Sequence, residues 1–370
     1  MRALDRSIYQ YDMTGLDIAR RRLLNQHIVE PTFKQPSDAV AWLGAVQAQE
    51  YTDAKWALGL RMENATDAIV EQAFNEGTIL RTHLMRPTWH FVTPKDIRWI
   101  LELTAPRVHA RNAYYERQLE LDAALFRRSD AVITKALRGG KHLLRSELGA
   151  ALARVGIVAK TNRLGHIVHH AELEGIVCSG PRRGRQFTYA LLEERAPQAK
   201  TLARDEALAE LTRRYFTSHG PATVRDFAWW SGLTVADVKA GLALLGSELS
   251  QEVIDGQTYW FSSSTRAPND TAVRAYLLPV FDEYTVAYKD RSTVFERAGM
   301  NKRGGSMGIL LTYAIVVGGQ IVGAWKRTLT KGTVVIETNL FTRLTTIEKR
   351  AIAAAAQRYG DFLQLPVVAA

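Results

Sequence analysis

The sequence predicts an α+β protein with three tandem winged-helix motifs (each a helix-turn-helix with a β wing), followed by a small C-terminal β-barrel with a terminal helix. Two observations predict this fold class. Helices followed by a β hairpin occur three times along the chain, and residues 271–370 are rich in strand-forming segments. The chain has 370 residues, enough for several domains and a sizeable core.

The first winged helix is predicted within residues 1–120. Apolar residues at helical spacing indicate three helices, and β-forming residues indicate two strands around the turn Arg86-Pro87. The helices are predicted over residues 16–26, 38–48 and 67–75, and the strands over residues 79–85 and 88–92. Helical spacing then continues from residue 94 to about residue 137.

The second winged helix is predicted within residues 121–195. Its helices are expected over residues 142–155 and 161–175, and its strands over residues 176–178 and 186–191. The tip between these strands carries Arg182, Arg183 and Arg185. Arginines on a wing tip can reach phosphates or a minor groove, so the tip is a candidate DNA contact. A solvated loop is the alternative interpretation.

The third winged helix is predicted within residues 201–262, after a polar linker over residues 193–200. Its helices are expected over residues 205–218, 223–230 and 234–245. The pair Asp255-Gly256 then predicts a type I′ hairpin, because both central positions of that turn need a positive φ.

A second linker, residues 262–270, leads into the C-terminal β domain of residues 271–370, for which a small curved sheet or a barrel with one helix is expected. Its strands are predicted over residues 275–280, 309–317, 320–328 and 333–340, with Gly318-Gly319 as a tight turn. A glycine-rich loop over residues 298–308 carries Lys302 and Arg303. The last helix is expected to begin at a capping box from Thr345 to Glu348.

The charge favours a polyanionic partner. There are 48 Lys and Arg against 38 Asp and Glu, giving a net charge of +10 and a pI near 9.7. Nucleic acid is the first expectation and an acidic membrane the second. The single cysteine, Cys178, excludes an internal disulfide and a zinc site built on several cysteines. We expect no signal peptide, no membrane-spanning helix and a cytoplasmic location.

Gln47-Ala48-Gln49 is the candidate catalytic motif. It closes the predicted helix of residues 38–48, which would begin after Ser37 as N-cap. On a continuing helix, side chains two residues apart point about 200° apart and cannot share a target. For Gln47 and Gln49 to act together, the helix must end or unwind near Ala48. The alternative is that both are surface or capping amides.

Other polar residues are weaker candidates. His166, His169 and His170 have a spacing that can hold a metal, but no nearby carboxylate or cysteine completes a set, so no metal site and no cofactor are predicted. His90 is either a site residue or a buried, hydrogen-bonded histidine. Asp282 and Glu283 follow a predicted strand, where catalytic residues often lie. The sequence has no phosphate loop, HExxH or GxSxG pattern.

Five stretches in order resemble one known family, the AlkZ and YcaQ winged-helix DNA glycosylases, which act on alkylated bases and interstrand crosslinks. The matching stretches are residues 44–49 (GAVQAQ), 81–90 (RTHLMRPTWH), 219–223 (HGPAT), 277–284 (LLPVFDEY) and 317–325 (VGGQIVGAW). The resemblance implies three tandem winged helices and a C-terminal β-barrel around a basic concave surface for duplex DNA.

The resemblance also implies residue roles. A Gln-x-Gln motif is similar to the AlkZ branch, which is associated with self-resistance to DNA-alkylating natural products, whereas YcaQ-like members carry Gln-x-Asp. The catalytic role therefore carries over to Gln47 and Gln49 only. We further hypothesise that His90 and Asp282 lie near the lesion as supports. The candidate DNA contacts are Arg182, Arg183, Arg185, Lys302, Arg303, Gly318 and Gly319.

Two amides are compatible with the reaction that the resemblance implies. An amide is not a strong general base, but alkylation at purine N7 puts positive charge on the base and makes it a good leaving group. Two glutamine carbonyls can place a water and stabilise an oxocarbenium-like sugar by oriented dipoles. The sequence thus predicts a monofunctional glycosylase that releases N7-alkylated purines from duplex DNA as a monomer. Unhooking of interstrand crosslinks is left open.

Two other functions compete with this prediction. A non-catalytic winged-helix transcriptional regulator also suits the positive charge, but such regulators usually dimerise on a short palindrome. Three copies joined to a β domain, with a paired-amide motif, favour a sequence-tolerant enzyme. An RNA-binding module is less favoured, because the chain lacks an aromatic stacking signature.

Overall fold

A computed structural model describes residues 13–263, 272–298 and 313–369. The first unit contains four helices and a small antiparallel sheet in the order β1-β3-β2. Its elements are α1 (Gly15–Asn25), α2 (Pro36–Leu43), β1 (Val46–Gln47), α3 (Tyr51–Gly59), α4 (Asp67–Glu76), β2 (Leu80–Leu84) and β3 (Thr88–Val92). Helix α3 has no counterpart in the sequence prediction.

The second unit begins with a long helix, α5, that leads out of the first. Its sheet has the order β4-β6-β5. The elements are α5 (Ile97–Gln118), α6 (Ala123–Leu137), β4 (Leu143–Leu144), α7 (Arg145–Ala153), α8 (Thr161–Leu173), β5 (Val177–Ser179), β6 (Thr188–Leu191) and α9 (Leu192–Arg195). The short helix α9 occupies the start of the predicted polar linker.

The third unit ends in a two-stranded hairpin whose second strand also bridges the loop before its second helix, through Ala222 and Trp260. Its elements are α10 (Arg204–Ser218), α11 (Val224–Ser231), α12 (Val235–Leu245), β7 (Leu249–Ile254) and β8 (Gln257–Ser262). Asp255 and Gly256 have φ values of +49° and +73°, as a type I′ turn requires.

The three units share one strand topology. In each unit a short strand or a single β-bridge residue comes first, followed by two helices and a closing hairpin. The second strand of the hairpin pairs both with the first strand of the hairpin and with the short strand or bridge residue, so it lies in the middle. The units therefore repeat in connectivity as well as in the order of elements.

The C-terminal part is an open five-stranded sheet in the order β13-β12-β11-β10-β9. Its elements are β9 (Ala275–Leu278), α13 (Glu283–Val286), α14 (Ser292–Phe295), β10 (Ala314–Val317), β11 (Gln320–Thr330), β12 (Thr333–Leu340), α15 (Thr346–Leu363) and β13 (Val367–Ala369). Gly318 and Gly319 form the predicted turn, and Thr345 and Glu348 the predicted capping box. Lys302 and Arg303 lie outside the described residues.

The predicted barrel is wrong for the described residues, because β9 and β13 are the two edges of the sheet and do not pair with each other. Helix α15 covers the apolar face instead. Its Tyr359 and Phe362 rings lie 5.0 Å from the Trp56 ring on α3. Alternating strands are compatible with both architectures, and only the pairing of the edges distinguishes them.

The hydrophobic core joins segments that are far apart in sequence. One cluster combines α1–α4 with the C-terminal sheet, and a second combines β2, β3 and α5 with the third unit. A third cluster lies mainly in the second unit. The β1–β3 sheet therefore lies between the C-terminal sheet and the third unit. No helix among the described residues is long and apolar enough to cross a membrane.

Candidate active site

The helix before the glutamine motif is shorter than predicted. Helix α2 has Gln35 rather than Ser37 as its N-cap, with Pro36 at the first helical position. It ends at Leu43, where Gly44 takes a φ of +81°. A Cβ on Gly44 would lie 3.5 Å from the Trp230 ring, so the helix ends against the third unit. The last turn of the predicted helix over residues 38–48 is therefore wrong.

Gln47 lies on strand β1, where it pairs with His90. The pairing continues one residue further, since the Ala48 N–H donates to the Trp89 carbonyl at 2.7 Å. In an extended segment, residues two apart face the same side. Strand β1 itself, however, ends at Gln47, and Gln49 lies in the bend that follows. The two glutamines flank the buried Ala48, outside the helix that the sequence predicted. Gln47 is 6% exposed and Gln49 is half-buried.

Donors from the β2–β3 hairpin hold both glutamine side chains. The Arg86 guanidinium donates to Gln47 Oε1 at 2.6 Å, and the Trp89 N–H donates to Gln49 Oε1 at 3.4 Å. Arg81 Nε also donates to the Ala48 carbonyl at 2.9 Å. These hydrogen bonds distinguish the oxygen of each side-chain amide from its nitrogen and fix its orientation. Each oxygen keeps one lone pair that can accept from a further donor.

Glu283 fixes the backbone of the motif from the C-terminal part of the chain. Its Oε1 accepts from the Gln47 N–H at 2.7 Å, and its Oε2 accepts from Trp230 Nε1 at 2.8 Å. Burial acts to raise the pKa of Glu283, but neighbouring His219 and the Gln47 N–H outweigh it and leave the pKa below its usual value. Sequence reasoning flagged Glu283 only as a neighbour of Asp282, without this role.

Asp282 has a different partner. Its carboxylate accepts two hydrogen bonds from Arg61, at 2.8 and 2.9 Å, and both side chains are 0% exposed. It also caps α13 by accepting from the Tyr284 N–H at 2.9 Å. None of these contacts involves the glutamines, so the structure brings Glu283 to the motif and leaves Asp282 in the core beneath it.

His90 lies directly opposite Gln47 and is fully buried. Its Nδ1 lies 2.9 Å from the Thr88 carbonyl, and its Nε2 has no hydrogen-bond partner among the described residues. Burial, together with the nearby charge of Arg86, lowers the pKa of His90 to about 3. The ring is therefore neutral at physiological pH and cannot act there as a general acid.

This buried histidine predicts a pH dependence of stability. The unfolded chain binds a proton at His90 below about pH 6.5 and the folded chain does not, so the stabilisation is complete above pH 6.5 and is lost on acidification towards pH 3. The expected slope is about 1.4 kcal/mol per pH unit. Urea unfolding at pH 7 and pH 5.5 should show a smaller acid loss for His90→Gln than for wild type. Equal losses would contradict the assignment.

Arg86 is predicted to position Gln47. For the base release that the family resemblance implies, Arg86→Ala should lower kcat about tenfold and leave KM within about twofold, because the Gln47 carbonyl loses its orienting donor. Arg86→Lys should recover part of the rate, since it keeps the charge but not the planar fork. Arg350→Ala, which removes an exposed arginine from α15, is the matched control. A change in KM alone would instead assign Arg86 to DNA binding.

The wing arginines are mostly engaged within the protein. Arg182 forms an ion pair with Glu71 at 3.3 Å, and Arg183 forms one with Glu147 at 2.8 Å. Arg185 is exposed, and its side chain makes no hydrogen bond or ion pair with the residues described. Of the three predicted DNA contacts on this tip, Arg185 is the one whose charge is uncompensated.

The turn at Gly318 and Gly319 lies against α1. The Gly319 carbonyl accepts from the Tyr284 hydroxyl at 2.8 Å, and a Cβ on Gly319 would lie 3.3 Å from the Arg20 backbone nitrogen. A Cβ on Gly318 would meet nothing within 4 Å. Gly318 therefore presents an open backbone, whereas Gly319 is held by packing.

The histidines of α8 have partners that their spacing did not reveal. His83 Nδ1 lies 2.5 Å from Glu172, and the His83 ring lies 4.1 Å from the His169 ring. His170 lies beside two residues that sequence reasoning did not connect to it, His109 and Glu174. The sequence did not show which groups would complete a set with these histidines; in the structure, His109 from α5 and Glu174 from the end of α8 lie beside His170.

A family model, a related protein and a solved structure all match most of this chain. A family model described as DNA glycosylase AlkZ-like matches residues 40–362. The chain is 25% identical over 334 residues to the interstrand DNA cross-link repair glycosylase of Streptomyces sahachiroi, covering 82% of this chain and 85% of that protein. The solved structure of Streptomyces sahachiroi DNA glycosylase AlkZ has a similar fold, with a TM-score of 0.78, 21% identity and coverage of 97% and 100% of the two chains.

The family match includes every element that builds the candidate site. It spans β1 with Gln47, the β2–β3 hairpin that holds the glutamine side chains, and α13 with Glu283. The resemblance seen in the sequence is confirmed, and the chain belongs to the AlkZ-like DNA glycosylase family.

Proposed function

We propose that this protein is a monofunctional DNA glycosylase that hydrolyses the N-glycosidic bond of N7-alkylated purines in duplex DNA. The observation that carries the proposal is that the chain leaves the helix before Gln47, so that the side-chain oxygens of Gln47 and Gln49 are both oriented by donors of the same β2–β3 hairpin. Membership of a DNA glycosylase family supports it.

Gln47 and Gln49 act by positioning and electrostatics. One lone pair of Gln47 Oε1 is used by Arg86, and the other is available to a water molecule. The amide dipoles stabilise positive charge that develops on the sugar as the bond to the base breaks. Neither glutamine takes a full proton at neutral pH, so the departing base must already be cationic. The enzyme therefore favours N7-alkylated purines over neutral lesions.

We extend the proposed substrates to interstrand crosslinks. The Streptomyces sahachiroi relative is named for interstrand cross-link repair, and this chain covers 85% of its length. A base bound covalently to both strands cannot be rotated fully out of the helix into a pocket. Gln47 and Gln49 would approach such a lesion while it remains in the duplex. A role in self-resistance to a DNA-alkylating natural product follows from the same proposal.

We propose that the three repeated units are winged helices that share duplex DNA as their partner. Their common strand topology supports this, with the closing strand in the middle of each small sheet. The domain division at residues 1–120, 121–195, 201–262 and 271–370 is part of the proposal. Arg185 and Gly318 are the favoured DNA contacts, and the protein acts as a monomer without a cofactor.

The test is base release from an end-labelled duplex with a single N7-methylguanine, followed by alkaline cleavage of abasic sites. Wild-type protein should produce one strand break at the lesion and none in the unmodified duplex. A duplex with an N7 crosslink should give two separable strands. Binding without strand breaks on any of these substrates would favour a DNA-binding regulator instead.

A further inference from the structure

A cluster of metal-ligand residues lies in the second unit, where nothing in the proposed reaction uses it. His109 on α5, His170 on α8 and Glu174 at the end of α8 each place one ligand atom within 4.8 Å of the others. Asp130 on α6 adds a carboxylate, with Oδ2 at 3.7 Å from His170 Nε2. Two imidazoles and one carboxylate from α5 and α8 therefore lie together, and the Asp130 carboxylate on α6 lies beside His170.

The separations suit a small tetrahedral ion. Bonds of about 2.0–2.1 Å place neighbouring ligand atoms roughly 3.3 Å apart in a tetrahedral zinc site. His109 Nε2 lies 2.9 Å from Glu174 Oε1, and His170 Nε2 lies 3.7 Å from Asp130 Oδ2, on either side of that value.

Hydrogen bonding within the protein does not account for the cluster. His109 Nε2, His170 Nδ1 and Asp130 Oδ1 are buried and lack a hydrogen-bond partner among the described residues. The close approach of His109 to Glu174 is thus not a well-aligned hydrogen bond. Buried polar atoms are normally satisfied, so three unpaired atoms on neighbouring residues of one cluster indicate a missing ligand.

Contacts within the protein also hold the His170 and Glu174 side chains in place before a metal ion binds. The His170 ring stacks on Phe126 at 3.8 Å between centroids and 13° between planes. His170 and Glu174 are one helical turn apart, so both face the same side of α8. Restrained ligands lose less conformational freedom when they bind a metal.

We propose that His109, His170 and Glu174 bind one divalent transition-metal ion that joins α5 and α8, with Asp130 on α6 as the fourth ligand beside His170. Two imidazoles with two carboxylates suit Zn²⁺ and similar ions, whereas Mg²⁺ and Ca²⁺ prefer sites built only from oxygen ligands. The ion stabilises the second unit and is not a participant in base release.

The test is calorimetric titration of the full chain with ZnCl₂, after treatment with a chelator and removal of any histidine tag. Wild type should bind one equivalent with a Kd of about 10 µM or lower, and millimolar Mg²⁺ should not compete. His109→Ala and Glu174→Gln should each weaken binding at least tenfold. His166→Ala, on the same helix but outside the cluster, should bind like wild type.

A second measurement covers variants that lose stability. Zn²⁺ should raise the Tm of wild type and of His166→Ala, and leave the Tm of Glu174→Gln unchanged. Glu174 is 48% exposed at its side chain, so its substitution should not prevent folding. Absence of saturable binding to wild type, or equal binding to wild type and both cluster variants, would overturn the proposal.

Discussion

Replacing Gln47 or Gln49 with alanine is expected to lower base release from an N7-methylguanine duplex by about 10²–10³-fold. The loss arises because the remaining amide cannot both place the water and oppose the positive charge on the sugar. DNA affinity should change by less than about threefold, since the charges around the motif are unaltered. Single-turnover strand cleavage and an equilibrium binding assay on the same duplex measure the two effects separately.

The controls distinguish chemistry from folding. Gln72→Ala removes an exposed glutamine on α4 and should retain the wild-type rate. Gln49→Asp should keep a large part of the activity, because a carboxylate oxygen can accept the Trp89 N–H in place of the amide oxygen. Wild-type activity in Gln47→Ala and Gln49→Ala would remove the catalytic role. Parallel loss of DNA binding and thermal stability would assign the motif to structure.

Asp282→Ala is expected to destabilise the protein by about 3–5 kcal/mol, because it leaves the buried Arg61 guanidinium without its carboxylate. The same substitution also removes the cap of α13, the helix that carries Glu283. Base release should fall mainly through loss of folded protein. Urea unfolding gives the free energy, and activity per folded molecule gives the direct effect on the reaction.

The matched variants test this structural role. Asp205→Ala removes an exposed acid from the first turn of α10 and should cost less than about 0.5 kcal/mol. Arg61→Met combined with Asp282→Asn should be less destabilised than the sum of the two single variants, because neither charge is then left unpaired. A stable Asp282→Ala protein with a large loss of rate would instead place Asp282 in the reaction.

The sequence predicted local elements well where the signal is short-range. The Asp255-Gly256 turn, the Gly318-Gly319 turn and the Thr345–Glu348 capping box are all present. Each depends on the conformational preference of one or two residues, so neighbouring segments cannot easily override it. The helices of the second and third units were placed within a few residues, because apolar spacing and capping residues are also local signals.

The candidate site was only partly predictable. Gln47 and Gln49 were identified by resemblance to a family, but their partners Arg86 and Glu283 lie 39 and 236 residues from Gln47 in the chain. The His109–His170–Glu174 cluster was missed, because it joins two helices whose packing no periodic pattern specifies. At both sites the sequence shows which residue types are present, but it does not show how close they lie in the folded protein.

The sequence alone determined the basic charge, the threefold order of helices and hairpins, and the paired amides. Only the tertiary structure decided whether those amides face one target. The apolar spacing of residues 38–48 favours a helix, which would separate the side chains of Gln47 and Gln49. Pairing with β3 and the positive φ of Gly44 convert its end into a strand. Hydrogen bonds to a distant strand outweigh local helix propensity, which is worth only fractions of a kcal/mol per residue.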